Sequence, residues 1–230
     1  MTNIFPAMIS SIVEVTLVHP IDVYKTLYQQ NTHYKFKTYI KSSLQYKYSG
    51  FSSRFIGILP MRSVFWISQD YSEKYFKNTK NILYLSLKVG CFTSLCQSII
   101  DTPIEYIKIQ KINKNPVFFT NIYRGFTANM IRNNIFATSV YGLNLLGDKY
   151  NVNKFITGSI GGLVGSIISQ PIDYLKTNIQ SKNNISYKQL ILNKNTISRC
   201  MDGTLARSSV CFLSMGIGSF VYNYFKLLDI

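Results

Sequence analysis

One six-residue pattern, proline–x–acid–x–x–lysine, occurs three times in this chain. The copies are Pro20-Ile21-Asp22-Val23-Tyr24-Lys25, Pro103-Ile104-Glu105-Tyr106-Ile107-Lys108 and Pro171-Ile172-Asp173-Tyr174-Leu175-Lys176. The prolines lie 83 and 68 residues apart, and an apolar run precedes each of them. Three such matches are a repeat, and a repeat constrains architecture more than any single motif does. A membrane-crossing helix takes about 20 predominantly apolar residues, so each interval has room for two crossings and a connection. The chain divides accordingly into residues 1–80, 81–150 and 151–230.

The segments between the motifs support this division. Phe155–Ile172 and Ser208–Phe225 hold no charged side chain and read as the clearest spans. Residues 4–30, 52–77, 82–111 and 126–147 read as four more, interrupted by isolated charges such as Glu14, Arg62, Lys88 and Arg132. Such charges require water, a partner or the interior of a bundle. The expected fold is an all-α membrane protein, with six transmembrane helices in three pseudo-symmetric hairpins around a central cavity. The mean hydropathy of +0.07 is low for a membrane protein. It is tolerable where each helix shows lipid one face and water the other. The N-terminus enters its apolar run at once and reads as the first helix of the mature chain, not as a cleaved signal.

Charge narrows the function. Lys and Arg number 25 against 10 Asp and Glu, a net charge of +15. That excess suits an anionic membrane surface, an anionic small molecule or nucleic acid. No basic arm or recognition motif accompanies it, which argues against nucleic acid. His19 and His33 are the only histidines, and neither joins a nucleophile–base set, so no enzyme is read. Cys91, Cys96, Cys200 and Cys211 sit in apolar runs as buried or lipid-facing thiols, with no metal spacing. No metal or cofactor is expected.

Proline within a helix removes a hydrogen bond and bends the axis. Pro20, Pro103 and Pro171 would therefore bend three helices toward one end of the bundle. There each acid and the lysine three positions on occupy neighbouring faces. A closed ring of three acids and three lysines follows if each acid reaches the lysine of the next repeat.

These residues resemble the mitochondrial carrier family, whose hallmark is this threefold motif at the ends of odd-numbered helices. The likeness extends over nearly the whole chain. It implies that Asp22–Lys108, Glu105–Lys176 and Asp173–Lys25 pair as a matrix-side gate, with Gln29 and Gln180 as braces nine residues after their prolines. The second repeat has Ile112 at that place. The family's aromatic–basic–glycine step is complete in Tyr123-Arg124-Gly125 and partial in Tyr48-Ser49-Gly50. Gly158, Gly162 and Gly165 match its close helix packing, and Gly90, Ser94 and Ser98 do so less strictly. At the opposite end only Gln69-Asp70 with Lys74, Asn144-Leu145 and Tyr222-Asn223 with Lys226 are found. Two acids of the outer gate are missing, so weak pairing is expected there.

The resemblance further implies alternating access around a midplane site, with central contacts at Gly57, at Arg132-Asn133 and near Val210. Arg62 and Arg207 lie at similar depth. Arg62, Arg132, Asn133 and Arg207 are therefore the expected substrate-binding residues, since guanidinium groups hold phosphate or carboxylate in a two-pronged manner. Tyr141 and Asn129 either line the cavity or pack. Exchange of an anionic metabolite across the mitochondrial inner membrane is expected, with nucleotides slightly preferred for the net charge. A di- or tricarboxylate is the alternative, because Arg followed by a polar residue looks more like carboxylate carriers. A transport-inactive scaffold with the same fold is a further one. The implied protein is a monomer in contact with anionic lipids. Its short loops and heavy use of Lys, Asn, Ile and Tyr suit a compact member from an A/T-rich, viral genome.

Overall fold

The two shortest links between long helices each end on an asparagine that caps the helix after it. Asn81 Oδ1 accepts the backbone N–H groups of Leu83 and Tyr84 at 2.9 and 3.3 Å. Asn153 Oδ1 accepts that of Phe155 at 2.8 Å. Each cap satisfies amides that a helix start leaves without intrahelical partners, so the chain turns back within a few residues.

The computed structural model describes residues 4–30, 41, 43, 48, 51–112, 116–181, 187–192, 200, 201 and 204–227, without the side chains of 22–30, 52–54, 108, 111, 112, 181, 192 and 206. Among these residues every regular element is helical: α1 (Ile4–Gln30), α2 (Phe51–Phe76), α3 (Ile82–Ile112), a 3-10 turn at Phe119–Asn121, α4 (Phe126–Lys149), α5 (Lys154–Ser181), a short α6 (Tyr187–Leu192) and α7 (Thr204–Leu227). The six long helices coincide with the six expected segments. Pro20, Pro103 and Pro171 lie inside α1, α3 and α5. Pro60 sits inside α2, where no bend was expected.

Each long helix packs on its chain neighbours, and α7 packs on both α5 and α1, closing a ring. Small residues set the spacing. A Cβ placed on Gly161 would meet Val140 Cα of α4 at 2.7 Å, and one on Gly158 would meet the Met215 carbonyl of α7 at 2.6 Å. Gly125 enters α4 with φ +84°, a conformation other residues rarely adopt.

Among the described residues, three helices are long and apolar enough to cross a membrane, in the windows Ile4–Ile21, Ile82–Ile107 and Lys154–Gln180. They are α1, α3 and α5, which carry the motif. Ser208–Phe225 is not among them, contrary to expectation. Lack of charge is not enough there, because serine, glycine, tyrosine and Asn223 dilute its apolar residues.

Where a central cavity was expected, aromatic packing crosses part of the ring. Phe65 of α2 lies 6.5 Å from Phe136 of α4, and Trp66 stacks on Tyr222 of α7 at 5.0 Å. Since α2 and α4 are not ring neighbours, this cluster, with Met215 and Val140, fills the bundle interior. His19 packs against Tyr48 and Phe51 beside Pro20. Tyr141 and Asn129 are buried packing residues, the amide of Asn129 donating to Thr102 Oγ1 at 2.9 Å. Cys91 is exposed and the other three cysteines are half-buried; none of the four forms a disulfide.

Candidate functional site

The proline motifs bring α3 and α5 together with both acids turned inward. Lys176 is buried and pairs with Glu105, as the ring requires. The side chains of Asp22, Lys25, Gln29 and Lys108 lie outside the described residues, and with them the expected Asp22–Lys108 and Asp173–Lys25 pairs.

The ring is not built of its own lysines alone. Arg132, one of the expected substrate contacts, extends from α4 into it. Its Nη1 lies 2.9 Å from Asp173 Oδ1 and 3.1 Å from Glu105 Oε1, bridging the acids of two repeats. Its Nη2 lies 3.6 Å from Asp101, and its Nε and Nη2 donate to Asn133 Oδ1 at 3.2 and 2.9 Å. Asn133 in turn donates to Ser98 Oγ and Asp101 Oδ2 at 3.0 and 3.1 Å. Arg207 of α7 completes the group, 3.6 Å from Asp173 Oδ2. It also donates to Gln170 Oε1 at 2.9 Å and Ser169 Oγ at 3.0 Å.

Arg62 lies apart from this cluster. Its Nε is 2.8 Å from Glu14 Oε1 of α1, and its Nη2 donates to Ser214 Oγ of α7 at 3.2 Å. Ser214 itself donates to Glu14. The arginine, expected to contact substrate, thus ties α1, α2 and α7 where the ring closes.

Gln180, expected to brace the ring charges, instead donates to the Arg124 carbonyl at 3.1 Å, while Arg124 Nε donates to Ile179 O at 2.9 Å. Gln110, which the repeat spacing passes over, donates to the Gln180 carbonyl at 2.6 Å.

The far end is better joined than expected. Asp70 lies 2.7 Å from Lys74 of its own helix and 2.6 Å from Lys226 of α7, and Lys226 also lies 3.5 Å from Glu73. In place of an acidic pair, Asn144 donates to Ser219 Oγ at 3.1 Å and accepts from Thr157 Oγ1 at 2.6 Å. Among the described residues, that charge cluster, an ion pair between Lys154 of α5 and Asp148 of α4, and the neutral network therefore join the helices there. Lys88 reaches toward this end and lies 4.4 Å over the Tyr84 ring.

Asp101 and Glu14 are the functional candidates that the repeat did not show. Each occurs once, so neither belongs to the threefold pattern. The available signal was chemical: a carboxylate inside an apolar run needs a cation.

The family model for mitochondrial carrier proteins matches residues 147–228. Mitochondrial substrate carrier family protein X of Dictyostelium discoideum is 26% identical, over 79% of this chain and 73% of its own length. Mitochondrial 2-oxodicarboxylate carrier 2 of Saccharomyces cerevisiae is 25% identical, over 77% and 74%. A mitochondrial carrier-like protein of Acanthamoeba polyphaga mimivirus is 25% identical, over 76% and 78%.

Proposed function

The chain belongs to the mitochondrial carrier family, and from that premise we propose that it exchanges an anionic metabolite, a dicarboxylate first, across the mitochondrial inner membrane by alternating access. All six long helices cross the bilayer in this reading. The apolar α1, α3 and α5 do so by composition; α2, α4 and α7 do so by turning their polar groups into the bundle.

One observation carries the substrate class: Arg132 sits between two carboxylates that belong to different repeats. A substrate carboxylate offers the guanidinium the same paired acceptors that Glu105 and Asp173 offer now. When the substrate takes Arg132, the link from α4 to the acids of α3 and α5 is lost, and that end is free to open. Binding and opening are then one event, driven by the difference in affinity between the closed and open states. A relative that is a 2-oxodicarboxylate carrier supports the same class. Nucleotide exchange is the second reading, favoured by the net charge of +15.

The test is uptake by purified protein in liposomes preloaded in turn with a 2-oxodicarboxylate, ADP or a neutral amino acid. Saturable uptake of labelled 2-oxodicarboxylate, dependent on an internal anion, is the expected result. Uptake of nucleotide alone would replace the substrate class and keep the mechanism. No flux with any anion would favour a scaffold.

A further inference from the structure

Asp101 lies two residues before Pro103; the matching positions before Pro20 and Pro171 are Val18 and Ser169. It is therefore no part of the threefold motif. Its side chain is 0% exposed. One oxygen, Oδ2, is held by Asn133 at 3.1 Å and faces Arg132 at 3.6 Å. The other, Oδ1, is buried with no hydrogen-bond partner.

The surrounding charges make this position precarious. Glu105 follows four residues later on the same helix, and like charges at that spacing repel. Arg132 faces Asp101 from α4 and Lys176 from α5, and Asp173 of α5 is joined to the group through Arg132. On α2, Arg62 is held by Glu14, while Asp70, Glu73 and Lys74 lie at the far end with Lys226. The side chains of Arg54 and Lys108 lie outside the described residues. Within the described cluster, Asp101, Glu105 and Asp173 balance Arg132, Lys176 and Arg207.

An incoming anion upsets that balance. Once a substrate carboxylate takes Arg132, and before that end opens, Asp101 loses the cation beside it at a buried position. A buried carboxylate without a partner neutralises rather than stays charged. We propose that Asp101 takes one proton onto Oδ1 as the anion binds, drawn from water on the side of entry, and releases it with the anion on the other side. This inference rests on the anion-transport reading above. It adds one positive charge to each anion that crosses and identifies Asp101 as a proton-binding residue of the cycle.

The experiment is proton uptake on anion binding, followed with a pH indicator in weakly buffered detergent solution. Binding of a 2-oxodicarboxylate or ADP is scored independently by thermal shift. The wild-type protein is expected to absorb about one proton per anion bound, the stoichiometry of a single linked site. Asp101→Asn is expected to absorb none per anion bound. In liposomes at equal pH on both sides, wild-type exchange should fall by about tenfold per pH unit on its alkaline limb, and the variant should lack that limb. Anion binding by the wild type with no proton uptake overturns the proposal, even if the variant does not fold. If neither anion binds and no flux is seen, the transport reading fails, and the proton with it.

Discussion

Arg132 Nη1 stands 2.9 Å from Asp173 Oδ1, so an arginine of the second repeat is held by the signature acid of the third. The same nitrogen reaches Glu105, and Asp173 also faces Arg207. Among the described residues, the end of the bundle defined by the proline motifs is thus tied together by Arg132 of α4 and Arg207 of α7 as well as by Lys176. Asp173 is 25% exposed, so its pairs with Arg132 and Arg207 stand nearer the roughly 0–1 kcal/mol of solvent-screened ion pairs than the buried Glu105–Lys176 pair does.

Asp173→Asn tests this division between closure and folding. The amide keeps the shape and loses the charge that Arg132 and Arg207 share. Exchange should fall by about tenfold or more, equivalent to roughly 1.4 kcal/mol in the barrier. The melting temperature in detergent should move by only a few degrees. Equal flux in the variant and the wild type would remove Asp173 from the closure.

The Glu14–Arg62 pair should behave in the opposite way. Glu14 is 3% exposed, and its carboxylate joins α2 and α7 to α1. Removing one partner strands a buried charge, at a cost of about 3–5 kcal/mol. Glu14→Ala and Arg62→Ala should each lower thermal stability strongly, and the double variant by less than the sum of the two. If Arg62→Ala melts like the wild type and raises only the KM for exchange, Arg62 is a substrate contact after all.

At the far end, Lys226 spans Asp70 and Glu73 while itself 31% exposed. Lys226→Ala should therefore cost little stability, about 1 kcal/mol or less. It should slow exchange by several-fold, because the Asn144–Ser219 bond that also holds α7 at that end is neutral. Rates of labelled-anion exchange, normalised to protein in the vesicles, measure the effect.

Gly161 controls the spacing of α4 and α5, since any Cβ would strike the Val140 backbone. Gly161→Val should destabilise by about 1–3 kcal/mol through overpacking. The check is the melting temperature together with the amount of protein recovered from membranes. Unchanged stability would mean that the two helices can separate at no cost.

The repeat made the architecture legible: its three matched prolines lie inside α1, α3 and α5, and the segments between them located α2, α4 and α7. It also predicted the Glu105–Lys176 pair. Arg132 was legible as a cation needing an anion, but its reach to the acids of two repeats was not, because side-chain direction across a ring depends on packing. Periodicity hid Asp101 and Glu14 for a different reason: it selects what recurs, whereas these two residues occur once. Trp66, stacked on Tyr222 in the interior, reads in sequence as one more apolar residue of a span.

The most direct test is anion exchange by Arg132→Lys beside the wild type, in liposomes loaded with a 2-oxodicarboxylate. Lysine keeps the charge but not the fork that bridges two carboxylates. Saturable exchange in the wild type, reduced by about a hundredfold in a variant of equal melting temperature, is the predicted result. Wild-type rates in the variant would contradict the role assigned to Arg132 at the gate.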